Sequence, residues 1–242
     1  MTDAPAPTSL RSSIMTALTA LIFGFLGAAI WSVSGLADNR TRAFLMDNPE
    51  VLPAMVKEMQ SRETARRLAE AGRSVFEAFD GAVLGNPVGT RVLVEWTDYN
   101  CPYCEASLRD VTRLVAEDPD LKVVIRERPI FEGSEMASRM ALAAALQGKY
   151  GAFHEAMFAL GPTTPEAIKR AATAVGLDME RAAKDAMSER VTAELARNEA
   201  LAQRIGFSGT PAWATGDIAL DGAVGYESLK HALDEAGPQA ES

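Results

Sequence analysis

The chain has 242 residues, of which 48% are hydrophobic and 24% are charged, with 18 glycines and 12 prolines. This length and composition indicate a folded protein with a substantial core, and they exclude a disordered or collagen-like chain. The formal net charge is −9 and the bases form no stripe, which argues against a nucleic-acid partner. Two cysteines and two histidines are too few for a multi-disulfide scaffold or a four-cysteine zinc site, so no metal is predicted.

An apolar segment lies near the N-terminus, within residues 1–37. No charged residue occurs from Ser12 to Ala37, and residues 14–35 are mostly apolar. At about 1.5 Å per residue in a helix, this segment matches the ~30 Å hydrocarbon thickness of a bilayer, so it predicts a membrane anchor. The alternative is a signal peptide cleaved near Ala37, where small residues occupy the positions that define a cleavage site. The flanking charges do not settle the orientation of an anchor.

Residues 38–80 are predicted to form a helical arm. Asn48-Pro49-Glu50 is typical of a helix start. An apolar stripe follows at helical spacing, formed by Leu52, Met55, Val56 and Met59. The stripe either packs on the main domain or pairs with the same stripe of another chain, in which case the protein is a homo-oligomer.

Residues 81–242 are predicted to form the main domain. Its first ten residues are rich in Gly, Asn and Pro and predict turns. Residues 91–97 and 121–128 predict buried strands, and residues 102–116 between them predict a helix. Connections this short imply a βαβ unit and a partly parallel sheet.

An alanine-rich stretch at residues 134–205 predicts a set of inserted helices, because glycine breaks divide it at helical-hairpin spacing. Two short strands are predicted at residues 212–215 and 218–220, followed by a last helix at residues 226–236. The expected fold class is therefore α/β with a helical insertion.

The two cysteines form the motif Cys101-Pro102-Tyr103-Cys104 at the point where the first buried strand passes into a helix. A thiol at a helix N-terminus faces unpaired backbone N–H groups and the positive end of the helix dipole, which favour the thiolate. We therefore predict that Cys101 is an exposed nucleophile and that Cys104, one turn later and shielded, resolves the mixed disulfide. A structural disulfide would close too small a loop to stabilise the fold much. A zinc site would need two further ligands.

The motifs of the main domain resemble those of the DsbA-like thiol–disulfide oxidoreductases. The resemblance is carried by residues 92–104 (VLVEWTDYNCPYC) and 206–212 (GFSGTPA), with the inserted helices between them. It implies a thioredoxin fold with a helical insertion. It also implies that Pro211 is a cis-proline facing the active-site sulfurs, and that the backbone of Thr210 pairs with the substrate.

Two further roles follow from the same resemblance. Glu95, six residues before Cys101, is expected to be a buried acid that exchanges a proton with Cys104 through water. Within the motif, Pro102 and Tyr103 are expected to tune the thiolate and to contact partners. No cofactor is implied.

The arm resembles that of a subgroup, the suppressor-of-copper-sensitivity type C proteins, over residues 44–52 (FLMDNPEVL). In that subgroup the arm mediates oligomerisation, which suits the isomerisation of wrong disulfides. The resemblance implies a periplasmic enzyme that oxidises, isomerises or reduces disulfides of exported proteins and is recycled by a membrane redox partner. The enzyme would be tethered to the inner membrane by residues 14–35, or soluble after cleavage near Ala37.

Two other functions fit the cysteine pair. CPYC also occurs in glutaredoxin-like reductases, although these are much shorter and lack the inserted helices. Two thiolates are also soft ligands for Cu(I), so a copper-binding or copper-tolerance protein is the alternative from a different class.

Overall fold

The structure is a computed structural model that describes the backbone of residues 10–33 and 36–238 and the side chains of residues 14–29 and 40–238. The chain divides into two compact units, Met1–Met59 and Gln60–Ser242. This boundary lies earlier in the chain than the predicted one at residue 80.

The first unit is helical. Helix α1 spans Leu10–Val33, α2 spans Leu36–Asp47, and α3 spans Val51–Ala71 and crosses the boundary between the units. The predicted first helical residue, Pro49, lies two residues before the observed start of α3 at Val51. The side chain of Asn48, the predicted N-cap, instead donates to the carbonyl oxygen of Phe44 in the preceding helix.

The membrane anchor predicted at residues 14–35 is not supported. Within the described part of the chain, no helix combines the length and the apolar character that crossing a membrane requires. Residues 34 and 35 of the predicted segment lie outside the described residues.

The second unit is built around a five-stranded sheet with the strand order β1-β3-β2-β4-β5. Strands β2 and β3 are parallel, and the other neighbours are antiparallel. The strands are β1 (Val83–Gly85), β2 (Arg91–Thr97), β3 (Leu121–Glu127), β4 (Ala212–Thr215) and β5 (Ile218–Asp221). The helices are α4 (Pro102–Glu117), α5 (Glu135–Ala145), α6 (Tyr150–Leu160), α7 (Pro165–Ala174), α8 (Met179–Ala186), α9 (Glu189–Ile205) and α10 (Tyr226–Ala236). This is a mixed α/β, thioredoxin-like arrangement, and the βαβ unit β2-α4-β3 is the one predicted.

The bounds of β2, β4 and α10 agree with the predictions, and α5 to α9 fill the predicted insertion. The prediction for residues 81–90 was wrong in one respect, since β1 lies within the stretch assigned to turns and pairs with β3 at Val83 and Val124. A strand of three residues is too short to show the alternation of apolar and polar residues from which strands are predicted.

The two faces of the sheet cover separate hydrophobic clusters. Odd-numbered residues such as Leu93 and Ile125 pack with α4 and with the inserted helices α5 to α8. Even-numbered residues such as Val94 and Trp96 pack with the end of α3 and with α9. Leu68, which is 2% exposed, belongs to the second cluster. Residues 60–80 therefore help to form the core of the second unit, which explains why it begins before residue 80.

Two local features position the loops around the candidate site. Helix α9 ends at Gly206, whose φ of 97° lies in the left-handed region that favours glycine, and the chain then turns back toward β4. Thr164 is the N-cap residue of helix α7, and its side chain accepts a hydrogen bond from the N–H of Ala167.

Candidate active site

Cys101 and Cys104 lie at the junction between β2 and α4. Cys101 is the N-cap residue of α4, with φ −89° and ψ 114°, and Pro102 is the first helical residue. The N–H of Cys104 donates to the carbonyl oxygen of Cys101 at 3.1 Å, which closes the first turn. Both cysteines are free thiols.

The exposure predicted for Cys101 is wrong. Cys101 is 2% exposed and Cys104 is 1% exposed. The Sγ atom of Cys101 donates to the carbonyl oxygen of Thr210 at 3.1 Å, across 109 residues of sequence. The loop before β4 therefore covers the start of α4, and local sequence could not show this contact. Exposure does not distinguish the two thiols, but their surroundings do.

The loop that covers Cys101 contains the Thr210–Pro211 peptide bond, which is cis as the resemblance implied. Thr210 is 8% exposed and Pro211 is buried. Arg128, which directly follows β3 and is 5% exposed, donates to the carbonyl oxygen of Gly209 at 2.9 Å. Its guanidinium also pairs with the carboxylate of Glu199 at 2.7 Å. Arg128 thus fixes the loop, a role that sequence analysis missed.

Glu95 is buried, with 3% of its surface exposed, in the middle of β2 on the sheet face that carries α4. Removal from water raises the pKa of Glu95 to about 8, and the nearby Glu127 carboxylate contributes in the same direction. Burial also raises the pKa of Cys104, and the negative charge of Glu95 adds to that rise. Glu95 and Cys104 therefore compete for protons, which gives Cys104 a nearby group that can take its proton.

A second buried carboxylate, Glu127 at the end of β3, was missed by sequence analysis. Its Oε1 atom accepts hydrogen bonds from the hydroxyls of Tyr99 at 2.9 Å and Tyr150 at 2.7 Å. The Nδ1 atom of His154 lies 2.9 Å from the Tyr99 hydroxyl and 3.3 Å from the Tyr150 hydroxyl. Burial raises the pKa of Glu127 to about 7 and lowers the pKa of His154 to about 3. We call these four residues the buried polar cluster.

Asp98 organises the loops on the outer side of the site. It is fully buried, and its carboxylate accepts hydrogen bonds from the backbone N–H groups of Asn100, Ile130 and Phe131 and from the hydroxyl of Ser134. These bonds tie the residues before Cys101 to the loop after β3. Beside them, the exposed fractions are 65% for Tyr103, 42% for Ile130 and 44% for Phe131. The motif and the loop tied by Asp98 therefore both present apolar side chains to solvent.

The described residues contain no group of three or more His, Cys, Asp or Glu side chains that could hold a metal ion. Of the two histidines, His154 belongs to the buried polar cluster and His231 has an exposed side chain on α10.

The comparisons with known proteins agree with this geometry. The family described as the DSBA-like thioredoxin domain matches residues 92–234. The crystal structure of a thioredoxin-like oxidoreductase from Silicibacter pomeroyi DSS-3 is 42% identical, covers 68% of this chain and 96% of its own, and has a TM-score of 0.65. The catalytic domain of Proteus mirabilis ScsC is 27% identical, covers 71% of this chain and 97% of its own, and has a TM-score of 0.62.

A curated relative, the Na(+)/H(+) antiporter NhaA 3 of Salinispora tropica, is 27% identical over 148 residues, which are 60% of this chain but 23% of the antiporter. The likeness to the antiporter thus concerns a minor part of that protein. The family match covers more than half of this chain and includes both cysteines, Glu95 and the cis-proline loop. The chain belongs to the DsbA-like thioredoxin family.

Proposed function

We propose that the protein is a thiol–disulfide oxidoreductase that exchanges disulfides in exported proteins through Cys101 and Cys104. The observation that carries this proposal is the arrangement of two free thiols within one turn of helix, between the Thr210 backbone and the buried Glu95. Family membership supports oxidoreductase activity, and the geometry supports a separate role for each thiol.

The exchange begins at Cys101. Its thiolate attacks one sulfur of a substrate disulfide, the substrate S–S bond breaks, and a mixed disulfide forms while the other substrate sulfur leaves as a thiolate. In the free protein, the carbonyl oxygen of Thr210 accepts a hydrogen bond from the Cys101 thiol. An extended substrate segment that pairs with the Thr210 backbone would bring its own sulfur to the same place.

The exchange is completed by Cys104. Its thiol gives a proton to the Glu95 carboxylate, and the resulting thiolate attacks the sulfur of Cys101 in the mixed disulfide. A Cys101–Cys104 disulfide forms and the substrate leaves reduced. The same steps in reverse oxidise a substrate dithiol, so the direction depends on the reduction potential of the pair and on the membrane redox partner that recycles it.

The proposed compartment is the periplasm. Disulfide exchange in substrate proteins requires an oxidising compartment, because cytosolic thiols are kept reduced.

The arm supports an oligomeric isomerase as the form of this enzyme. Within the first unit, Leu52 is 57% exposed, Met55 is 53% exposed and Met59 is 65% exposed. Apolar side chains exposed along one stripe are typical of interaction surfaces, and a second copy of the stripe would cover it symmetrically. A truncation at residue 81 would remove Leu68 from the core of the second unit. Met59→Glu is therefore the better test: it should lower the mass measured by light scattering, whereas the neighbouring surface change Gln60→Glu should not.

Trapping tests the roles of the two thiols. Cys104→Ala should accumulate a long-lived mixed disulfide with a model disulfide peptide, and Cys101→Ala should accumulate none. The reverse pattern would overturn the assignment.

Stoichiometric, tight Cu(I) binding by the unaltered protein without disulfide exchange would instead favour the copper-binding alternative. Activity confined to glutathione mixed disulfides would favour a glutaredoxin-like reductase.

A further inference from the structure

We propose that Glu127 is a positioning residue of the exchange reaction: with Tyr99, Tyr150 and His154 it forms a second proton site behind Glu95, which sets the pH at which Glu95 can take the proton of Cys104. This inference deepens the function proposed above and rests on it. Neither the cysteine motif nor the cis-proline loop requires a second buried carboxylate.

The sheet register places the two carboxyl groups on one face. In the parallel pairing of β2 with β3, Glu95 is opposite Ile125 and Glu127 is opposite Thr97. Glu127 is thus on the neighbouring strand, two residues further along, and side chains two residues apart point to the same side of a sheet. Glu127 is fully buried and Glu95 is 3% exposed, so bulk solvent screens their charges only weakly.

The hydrogen bonds of Glu127 allow it to exist in two protonation states. Both tyrosine hydroxyls are within hydrogen-bond distance of Glu127 Oε1 and of His154 Nδ1. Each hydroxyl has a single proton, which it gives either to the carboxylate or to the imidazole. The other carboxylate oxygen, Oε2, is buried and accepts no hydrogen bond of standard geometry, so it is the atom on which a proton can reside, while the nearby Ser138 hydroxyl lowers the pKa of the Glu127 carboxyl. When that proton is gained or lost, the two tyrosine hydroxyls can adjust their hydrogen bonds by rotation alone.

The groups around Glu127 leave its charge without a cation. Its titratable neighbours are Glu95 on β2, Asp98 and Tyr99 after β2, Tyr150 and His154 on α6 and, beyond Glu95, Cys104 on α4. Among the described residues, no Lys or Arg side chain is one of the main influences on the pKa of Glu95 or of Glu127. Two like charges in a dry site disfavour each other, so the ionisation of Glu127 makes Glu95 hold its proton more strongly.

The chemical consequence concerns one step. Proton transfer converts the Cys104 thiol and the Glu95 carboxylate into a Cys104 thiolate and a Glu95 carboxylic acid, with no net change in charge. The thiolate then forms the S–S bond to Cys101 and the substrate leaves as a thiolate. Because only the carboxylate form of Glu95 accepts the proton, the rate of this step rises with pH through the pKa of Glu95. The charge of Glu127 places that rise at a higher pH than Glu95 alone would give.

Glu127→Gln in the full chain tests this inference, because the amide keeps the shape of the side chain and removes the charge. A preformed mixed disulfide between Cys101 and a model peptide is followed by stopped flow, from pH 5 to pH 9, as Cys104 releases the peptide. The midpoint of the pH profile should move to lower pH by about one unit. The initial attack by Cys101, measured in the Cys104→Ala background, should change little. In a Glu95→Gln background, Glu127→Gln should cause no further shift.

Glu194→Gln is the matched control, since Glu194 is a buried carboxylate, 7% exposed, that pairs with Arg126 on the other face of the sheet. It should leave the midpoint unchanged even where it lowers stability.

Tyr150→Phe is the second variant should Glu127→Gln fold poorly. It removes one donor to Glu127, favours the protonated form and should move the midpoint in the same direction by less. An unchanged midpoint in Glu127→Gln, or in Tyr150→Phe if it alone folds, or an equal shift in Glu194→Gln, would overturn this inference. Absence of exchange in the unaltered protein would instead overturn the proposed function.

Discussion

Arg126 and Glu127 are consecutive residues of β3, both fully buried, and they point to opposite faces of the sheet. Arg126 donates to the carbonyl oxygens of Ser74, Val75 and Glu77, to Asn198, and to the carboxylate of Glu194 at 3.3 Å. Glu127 has two tyrosine hydroxyls as donors, and its negative charge lies near a second one on Glu95. Strand β3 therefore carries a neutralised buried cation on one face and, on the other, a buried carboxyl group that faces a second one on β2.

This difference separates two uses of buried charge. A buried ion that is paired and fully hydrogen-bonded fixes the segments that bind it, here residues 74–77, α9 and the sheet. A buried carboxyl with no cation keeps a raised pKa and can exchange protons near neutral pH. The first arrangement contributes to structure and the second to reactivity.

The largest expected effect is a loss of stability on removing Arg126, which lies on the sheet face that packs with α9. Arg126→Met should lower the free energy of unfolding by about 3–5 kcal/mol, because it leaves several buried carbonyl groups without their donor and Glu194 with only the more distant Arg197, at 3.9 Å. Burial lowers the pKa of Arg126 to about 10, so the lost group is a cation at neutral pH. Urea unfolding measures the change. The pH profile of the Cys104 step should stay in place, and a shifted profile would mean that the two faces are coupled.

The pH dependence of stability should reveal the raised pKa of Glu95 on the opposite face of the sheet. The folded-state pKa of Glu95 is raised from 4.5 to about 8, so its protonated form stabilises the fold below pH 4.5 and that contribution is lost as the pH rises toward 8. Glu95→Gln removes this dependence. Between pH 4.5 and pH 8, the unfolding free energy of the unaltered protein should therefore fall relative to that of Glu95→Gln, by on the order of 4 kcal/mol. A constant difference in urea unfolding across this range would contradict a buried, proton-binding Glu95.

The rate of the resolving step should depend on the same residue. Glu95→Gln should slow the release of the peptide by Cys104 about a hundredfold, because the amide cannot accept the thiol proton. The attack by Cys101 should change less, since it precedes the step in which Cys104 gives its proton to Glu95. Stopped-flow measurement of both steps distinguishes them. Equal slowing of the two steps would indicate a general disturbance of the site.

The main elements of the second unit could be predicted from sequence because each is determined locally. The run of apolar residues in β2, the proline after Cys101 and the caps of α7 and α8 are all read within a few residues. The exposure of Cys101 could not be predicted in this way, since it depends on Thr210, 109 residues away. Glu127 was missed for a related reason, because its partners Tyr99 and Tyr150 belong to two other segments.

Arg128 pairs with a carboxylate of α9, as Arg126 does, and yet it also reaches the loop before β4. Its guanidinium bonds to both the Gly209 carbonyl and the Glu199 carboxylate. Gly209 directly precedes Thr210, whose carbonyl oxygen contacts Cys101. Arg128→Gln should loosen this loop and raise KM for a peptide disulfide about tenfold, the equivalent of one lost charged hydrogen bond. The kcat and the pH midpoint should change little, because the Arg128 guanidinium bonds to Glu199 and Gly209 and to neither Glu95 nor Glu127.

The matched control for Arg128→Gln is Arg190→Gln, which removes a half-exposed guanidinium paired with the exposed Asp80. It should leave KM unchanged, since exposed ion pairs contribute little and this one lies on α9 away from the loop. If Arg128→Gln instead lowers kcat and leaves KM unchanged, then the loop acts in the chemical step and not in binding. In that case a fully bonded cation would contribute to reactivity, and the division between the two faces of the sheet would fail at this residue.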